Sequence, residues 1–252
     1  MKHEKELNEI SKLFFCPQEF KKYSMEFSNL YAPGILKNQL VMIGDSRLAG
    51  FPVSQLKLDI PIVNGGVGGT TVIGWSGHEV VQSIINQGGG WLFSNLAGND
   101  LGGNATNQHI LGCLCRLNFA VQDYCNAKIL VHGVLPVIQH GNADNVDVKK
   151  YNKLCKQICD ICGWQYINFF DEFYNPLTGW CRLAYLNLPE AGPLPPQEII
   201  FAAEYGNRKA MRILMEKYWP KIRPVHFSSE GNARWLELLQ AELKKVVEIT
   251  GL

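Results

Sequence analysis

The stretch Gln39-Leu-Val-Met-Ile-Gly-Asp-Ser-Arg47 joins a short apolar run to a glycine, an acid and a serine. An apolar run of this length that stops at a glycine is typical of a buried strand. Runs of the same kind recur further along the chain, at residues 60–64, 91–97, 127–134 and 164–169. Each of these runs is a candidate strand of one sheet.

Apolar residues at helical spacing lie between these runs. They form three stripes: Val80, Val81, Ile84 and Ile85; Ile110, Leu114, Leu117 and Val121; and Val148, Tyr151, Cys155, Ile158 and Cys162. Strands that alternate with amphipathic helices predict an α/β fold, with a parallel sheet covered by helices on both faces in a three-layer α/β/α arrangement. Ligands of such sheets bind at the carboxyl ends of the strands, where the polar motifs of this chain also lie.

The composition narrows the class of protein. The 252 residues fit a single domain, and a net charge of +1 predicts no nucleic-acid partner. The N-terminus is charged throughout and no apolar run has the length of a membrane span, so we expect neither a signal peptide nor a membrane-spanning segment. Eight cysteines without a secretory signal favour a cytoplasmic protein with free thiols.

Two segments depart from the alternation of strands and helices. Residues 1–30 are predicted to form an N-terminal extension of one or two polar helices. Residues 173–222 are punctuated by prolines, and we interpret them as an insertion beside the site and a candidate lid. The final helix is predicted to begin at Ser228 or Ser229, because serine is a good N-cap.

The first polar motif, Gly44-Asp45-Ser46-Arg47, follows the first predicted strand. A serine at a junction between a strand and a helix can be held exposed, with helix N–H donors close by, as a nucleophile requires. The same residues would also serve as a turn followed by a helix cap. The tripeptide alone does not separate the two interpretations.

Three further motifs follow in order along the chain. Asn64-Gly-Gly-Val-Gly-Gly-Thr-Thr71 lets backbone N–H groups approach a ligand, but its spacing fits neither a dinucleotide fingerprint nor a P-loop. Gly98-Asn99-Asp100 offers a side-chain amide donor, or a common turn. Val225-His226-Phe227-Ser228 places a histidine before the last helix, where it would act as a general base if a hydroxyl nucleophile lay nearby.

Taken together, Ser, Gly, Asn and His in this order resemble the four blocks of the SGNH/GDSL hydrolase superfamily, from about residue 37 to the C-terminus. The resemblance implies a flavodoxin-like sheet of five parallel strands, with Ser46 as nucleophile and His226 as base. It implies an oxyanion hole made by the backbone N–H groups of Ser46 and Gly69 and the side chain of Asn99. The expected substrate is a small-molecule acyl or acetyl ester, or a thioester, hydrolysed or transferred without a cofactor.

One position departs from the family pattern. The family has an aspartate three residues before the histidine, where this chain has Arg223. A backbone carbonyl could orient His226 instead, or another acid could replace the aspartate. The candidate acids are Glu230, one turn along the final helix, and Glu190, Glu198 and Glu204 in the insertion. The third alternative is a catalytically weak or inactive protein that binds an anionic or carbohydrate ligand in the same pocket.

The spacing of Cys155, Cys159 and Cys162 matches that of an iron–sulfur motif. Such a motif belongs on a loop, whereas these cysteines lie within a helical pattern, with Cys159 off the apolar stripe. His132 and His140 flank the end of a strand and are interpreted as residues of the pocket rim. We therefore expect neither a metal nor an organic cofactor; the oligomeric state is not indicated.

Overall fold

The computed structural model describes residues 3–24, 31, 32, 34, 37–139 and 141–250. Its main sheet has five strands: β1 Leu40–Gly44, β2 Ile62–Gly66, β3 Trp91–Asn95, β4 Lys128–His132 and β5 Gln165–Ile167. The strands are all parallel and lie in the order β2-β1-β3-β4-β5. This order confirms the predicted flavodoxin-like α/β/α fold, in which the order reverses beside β1 and ligands bind at the strand ends.

Helices connect and cover the strands. They are α1 Glu4–Ser11, α2 Pro17–Ser24, α3 Ser46–Ala49, α4 Val72–Trp75, α5 His78–Gln87, α6 Gly98–Gly102, α7 Asn107–Cys125, α8 Asn145–Cys162, α9 Phe170–Phe173, α10 Gln197–Glu204, α11 Arg208–Ile213 and α12 Ser229–Thr250. Short 3₁₀ turns span Val53–Gln55, Leu183–Tyr185 and Leu188–Ala191, and a π-helical turn spans Leu214–Tyr218. A small antiparallel pair joins β6 Tyr174–Asn175 to β7 Trp180–Cys181. In the described part of the chain, no helix is both long and apolar enough to cross a membrane.

The sheet separates two apolar cores. Val41 and Ile43 of β1 point into the core formed with α5, α7 and α8, whereas Leu40 and Met42 point into the core formed with α12. Successive strand residues face opposite sides, so a strand covered on both faces is apolar at most of its positions. This requirement explains why the strands were recognisable as continuous apolar runs.

The segments outside the alternation also pack into the domain. Helices α1 and α2 bury Leu7, Ile10 and Phe20 against the layer of α7 and α8. The predicted helices of residues 1–30 are therefore present over 3–24, while positions 1, 2 and 25–30 lie outside the described residues. The segment 173–222 contributes Leu214 and Trp219 to the core beneath α12. Its interpretation as a lid stays a prediction.

Two positions of the helical stripes differ from expectation. Val80 is 37% exposed, because α5 presents Val81, Ile84 and Ile85 to the core and leaves Val80 at the edge of that face. Cys159, predicted to lie off the apolar stripe of α8, is fully buried. Helix α1 packs against α8 and covers this side of it. Burial raises the pKa of the neighbouring Cys162 to about 12, so this thiol packs as a neutral apolar group.

His132 is a core residue and not part of the pocket rim, with 1% of its surface exposed, because it ends β4 on the α12 side. The indole Nε1–H of Trp235 donates to His132 Nε2 at 3.2 Å, and Nδ1 lies 2.6 Å from the carbonyl oxygen of Gly133. An indole nitrogen can only donate, so the hydrogen of the neutral ring sits on Nδ1. Desolvation lowers the pKa of His132 to about 4. His140, the other predicted rim residue, lies outside the described residues.

This depressed pKa predicts that folding stability depends on pH. Between the folded pKa of about 4 and the unfolded value of 6.5, the unfolded chain binds more protons at His132 than the folded chain. Stability therefore rises with pH across this window, and acidification to its lower end removes about 3 kcal/mol. We expect urea titrations at several pH values to show a shallower slope for His132→Gln than for the wild type. An unchanged slope in His132→Gln would contradict this assignment.

Candidate active site

Ser46 occupies the junction between β1 and α3. The Asp45 side chain caps α3 by accepting the N–H of Arg47 at 2.9 Å. Because Ser46 is the first residue of this helix, its own N–H has no acceptor within the helix. Helix α3 can lie directly on the sheet because Gly66 has no side chain. A Cβ at this position would come within 2.5 Å of the Ala49 nitrogen. The close packing of α3 against Gly66, the last residue of β2, thus fixes Ser46 at the edge of the sheet.

The glycine loop after β2 lies beside Ser46. Gly69 has φ +74°, a left-handed conformation that favours glycine. Its N–H has no hydrogen-bond acceptor within the described residues. A Cβ on the preceding Gly68 would lie 3.8 Å from the Cβ of Ser46. The loop therefore presents an unengaged N–H group close to the serine.

The motif after β3 holds this loop in place. Asn99 Nδ2 donates to the carbonyl oxygen of Thr70 at 2.8 Å. The Asp100 carboxylate accepts the N–H groups of Val72 at 2.8 Å and Ile73 at 3.3 Å, at the start of α4. Burial raises the pKa of Asp100, and these two N–H donors partly offset the effect. Adjacent residues of one motif thus clamp the loop that carries Gly69.

His226 forms a hydrogen-bonded chain with a serine and a glutamate. Its Nε2 lies 2.8 Å from Ser46 Oγ, and its Nδ1 lies 2.5 Å from Glu190 Oε2. The other carboxylate oxygen of Glu190 accepts the N–H groups of Val225 and of His226 itself, the latter at 2.8 Å. The Glu190 side chain is 16% exposed. A largely buried, hydrogen-bonded carboxylate therefore occupies the position that an orienting acid requires.

Antiparallel pairing brings Glu190 to this position from a distant part of the chain. Leu186 forms a bridge with Phe227, Asn187 N–H donates to the His226 carbonyl oxygen at 2.9 Å, and Ser228 N–H donates to that of Tyr185 at 2.9 Å. The 3₁₀ turn Leu188–Ala191 follows this pairing directly. The segment 173–222 therefore runs beside the histidine loop and turns its glutamate toward the ring.

The other predicted acids lie elsewhere. Glu230, the first candidate, is exposed at the start of α12 and accepts from Ser229 Oγ at 3.1 Å, because the helix carries it away from the ring. Glu204 accepts the N–H of Leu183 at 2.8 Å, and Glu198 is exposed on α10. Among the acids weighed from the sequence, the structure places Glu190 and not Glu230 at His226 Nδ1.

Arg223 lies three residues before His226, where the family pattern has its aspartate. Its Nε and Nη1 atoms are buried and have no hydrogen-bond partner among the described residues. Desolvation lowers the pKa of this guanidinium. Arg223 therefore takes no part in the hydrogen-bonded chain that contains His226.

Arg47 is a residue of the site that sequence reasoning missed, although it directly follows Ser46. Its guanidinium donates to three backbone carbonyl oxygens, those of Val225 at 2.8 Å, Leu135 at 3.2 Å and Pro136 at 3.1 Å. It also lies 4.8 Å from the centre of the Phe227 ring. Desolvation lowers its pKa, although the nearby carboxylates of Asp45 and Glu190 act in the opposite direction. Arg47 thus ties the histidine loop to the segment after β4.

Within the ranges that the structure describes, no group of three or more His, Cys, Asp or Glu side chains is arranged to hold a metal ion. The polar groups of the site are instead a hydroxyl, an imidazole, a carboxylate and backbone or amide N–H donors. Such a set is suited to nucleophilic attack on a carbonyl compound and to stabilisation of an oxyanion.

No family model and no curated protein matches this sequence. Among solved structures, the chain is similar to a GDSL-like lipase from Bacteroides thetaiotaomicron VPI-5482, with 14% identity, a TM-score of 0.58 and coverage of 90% of this chain and 98% of that chain. It is similar to a proposed acylhydrolase from Bacteroides fragilis NCTC 9343, with 15% identity, a TM-score of 0.57 and coverage of 90% and 96%. A proposed lipase from Chitinophaga pinensis DSM 2588 gives 13% identity, a TM-score of 0.54 and coverage of 83% and 99%. The chain has the fold of the SGNH/GDSL hydrolases.

The contacts of Arg47 predict a specific loss of stability. A lysine at this position has its three donors on one nitrogen atom, which cannot reproduce the spread of the guanidinium Nε, Nη1 and Nη2 donors across two segments. We expect Arg47→Lys to lower the free energy of unfolding by about 1–3 kcal/mol, measured by urea denaturation. The control is Arg212→Lys, whose side chain is 69% exposed, and it should change stability by less than about 0.5 kcal/mol. Equal effects of the two variants would show that the three carbonyl contacts contribute nothing.

Proposed function

We propose that this protein is a serine hydrolase that cleaves small carboxylic esters or thioesters through an acyl-enzyme on Ser46. The observation that carries the proposal is the hydrogen-bonded chain from Ser46 Oγ through His226 to Glu190, with distances of 2.8 and 2.5 Å. A carboxylate can only accept, so the Nδ1 hydrogen of His226 points to Glu190. The lone pair of Nε2 then faces the serine hydroxyl, as a general base requires.

In the first half of the reaction, Ser46 Oγ forms a bond to the carbonyl carbon while its proton moves to His226 Nε2. The imidazolium that results is stabilised by the negative charge of Glu190. The electron pair of the carbonyl double bond moves to its oxygen, which accepts from the N–H groups of Ser46 and Gly69 and from Asn99. Each such donor typically stabilises the transition state by about 2.7–4 kcal/mol.

Collapse of this intermediate breaks the bond to the leaving oxygen or sulfur, which takes the proton from His226 Nε2. Water then attacks the acyl-enzyme, with His226 again accepting a proton and returning it to Ser46 Oγ. The products are an acid and an alcohol or thiol. All proton transfers pass through one ring nitrogen, and no cofactor is needed.

Hydrolysis is favoured over the alternative of an inactive binding protein. That alternative was motivated by Arg223, which stands where the family has its acid. Glu190 supplies an acid at the required atom, and two backbone N–H groups hold it before substrate binds. The eight free cysteines accord with a reducing compartment, and we retain the cytoplasmic location as part of the proposal.

Covalent labelling with a fluorophosphonate tests the nucleophile. We expect the wild type to be labelled, Ser46→Ala to be unlabelled, and His226→Ala to be labelled far more slowly because the hydroxyl loses its base. Ser54→Ala, at an exposed serine of a 3₁₀ turn, is the control and should be labelled like the wild type. Folded wild-type protein that resists the probe would argue against the proposal.

The assignment of the acid has its own test. Glu190→Gln removes the negative charge that stabilises the imidazolium, so we expect kcat for a p-nitrophenyl ester to fall by about 10²–10⁴-fold with a small change in KM. Glu230→Gln alters the competing candidate and should leave both constants within about twofold of the wild type. If Glu230→Gln lost activity and Glu190→Gln kept it, the roles assigned here would be reversed.

A further inference from the structure

An open apolar hollow of about 420 Å³ lies next to the glycine loop, with Val67, Trp75 and Val80 as its walls. Val67 is 51% and Val80 is 37% exposed, so two aliphatic side chains face solvent on one small surface. The amphipathic pattern of α5 had placed Val80 in the core. Its exposure at this position leaves apolar surface uncovered beside the candidate site.

The hollow borders the loop of the candidate oxyanion hole, because Gly69 and Thr70 line it as well. The Trp75 indole Nε1–H donates to Thr70 Oγ1 at 3.0 Å. The carbonyl oxygen of the same threonine accepts from Asn99 Nδ2 at 2.8 Å. One residue therefore positions both the indole wall of the hollow and an amide donor beside Ser46.

The positions of the groups around the tetrahedral intermediate indicate which part of the substrate would lie in this hollow. A tetrahedral intermediate on Ser46 has its oxyanion at Gly69 and Asn99, and its leaving atom must lie at His226 Nε2 to receive a proton. The histidine loop is tied through Arg47 to the segment after β4, whereas the hollow follows β2, on the other side of β1. The remaining substituent is the α-carbon of the acyl chain, and an acyl chain directed away from His226 would face β2 and the hollow.

Two other cavities fit an acyl chain less well. The cavity lined by Ser46, Leu135 and Val225 has a volume of about 30 Å³, which accommodates about two water-sized groups. A larger groove lies on the segment 173–222, between Leu194, Phe201 and Glu230. Neither Ser46, Gly69 nor Asn99 lines that groove, so a chain bound there would not begin at the reacting carbon.

We propose that the hollow formed by Val67, Trp75 and Val80 binds the aliphatic acyl chain of the substrate, and that Trp75 determines the preferred chain length. The inference rests on the proposed function, and it narrows the substrate class to acyl esters or thioesters with chains of several carbons, in preference to acetyl esters. Contact with a chain would cover the exposed valines, and each methylene buried there would favour binding.

A series of p-nitrophenyl esters tests this inference, because the acyl chain varies while the leaving group stays constant. We expect the wild type to have a higher kcat/KM for butyrate and octanoate than for acetate. Val80→Ser, at an exposed position, should lower kcat/KM for octanoate through KM, with acetate changed by less than about twofold. Trp75→Ala should lower kcat/KM for octanoate by at least about tenfold, and by clearly more than it lowers kcat/KM for acetate. Trp75→Phe keeps an aromatic wall without the Nε1 donor and should retain most of the octanoate activity.

Phe201→Ser, in the groove of the segment 173–222, is the matched control and should leave the chain-length profile unchanged. A wild type that prefers acetate, equal losses for all esters in Trp75→Ala and Val80→Ser, or a profile that changes only in Phe201→Ser would overturn the inference while leaving the hydrolase proposal intact. A wild type that cleaves no ester and resists the fluorophosphonate would overturn both.

Discussion

The contact between Glu190 and His226 is the interaction on which the rest of the site depends. The carboxylate accepts the Nδ1 hydrogen of the ring and two backbone N–H groups of the histidine loop. Hydrogen bonds to an ionised group are stronger than neutral ones, and a largely buried carboxylate left without donors would be costly. The loop and the 3₁₀ turn therefore stabilise one another, and the ring orientation follows from their pairing. Arg47 strengthens the same arrangement from the other side through its hydrogen bond to Val225.

Local sequence was sufficient to predict most of this architecture. The central strands β1, β3 and β4 are covered on both faces and are therefore mainly apolar, so their runs were visible without knowledge of their neighbours. The edge strands β2 and β5 are only partly buried, and their short apolar runs were sufficient to indicate them. Ser46, Gly69 and Asn99 lie two, three and four residues after the ends of β1, β2 and β3, and parallel strands end at the same edge of the sheet. Their proximity was therefore a consequence of topology, which the order of the motifs indicated. His226 was predicted from its place before the last helix, and its contact with Ser46 depends on how α12 docks on the sheet.

Properties that depend on contacts between distant segments were not predictable. Glu190 was one of four candidate acids, and only the pairing of Leu186 with Phe227 distinguishes it from Glu230. Val80 and His132 show the same limitation in the fold. The periodicity of α5 could not show that its buried face ends before Val80. The position of His132 at the end of a strand gave no indication that Trp235 of the last helix covers it. In each case the missing information lay in a neighbour far along the chain.

The proposed acid, Glu190, and the proposed base, His226, are 36 residues apart in sequence, whereas the family pattern separates the two by three. When both lie on one short loop, the intervening surface segments are free to lengthen, shorten or be exchanged between relatives. Here the segment from residue 173 to 222 has lost that freedom, because its length and path determine where the carboxylate lies. A relative or chimaera with a trimmed segment could keep every one of the four motifs and still lack an oriented base. Where the proposed acid lies outside the histidine loop, the four motifs alone would therefore be an incomplete criterion for activity.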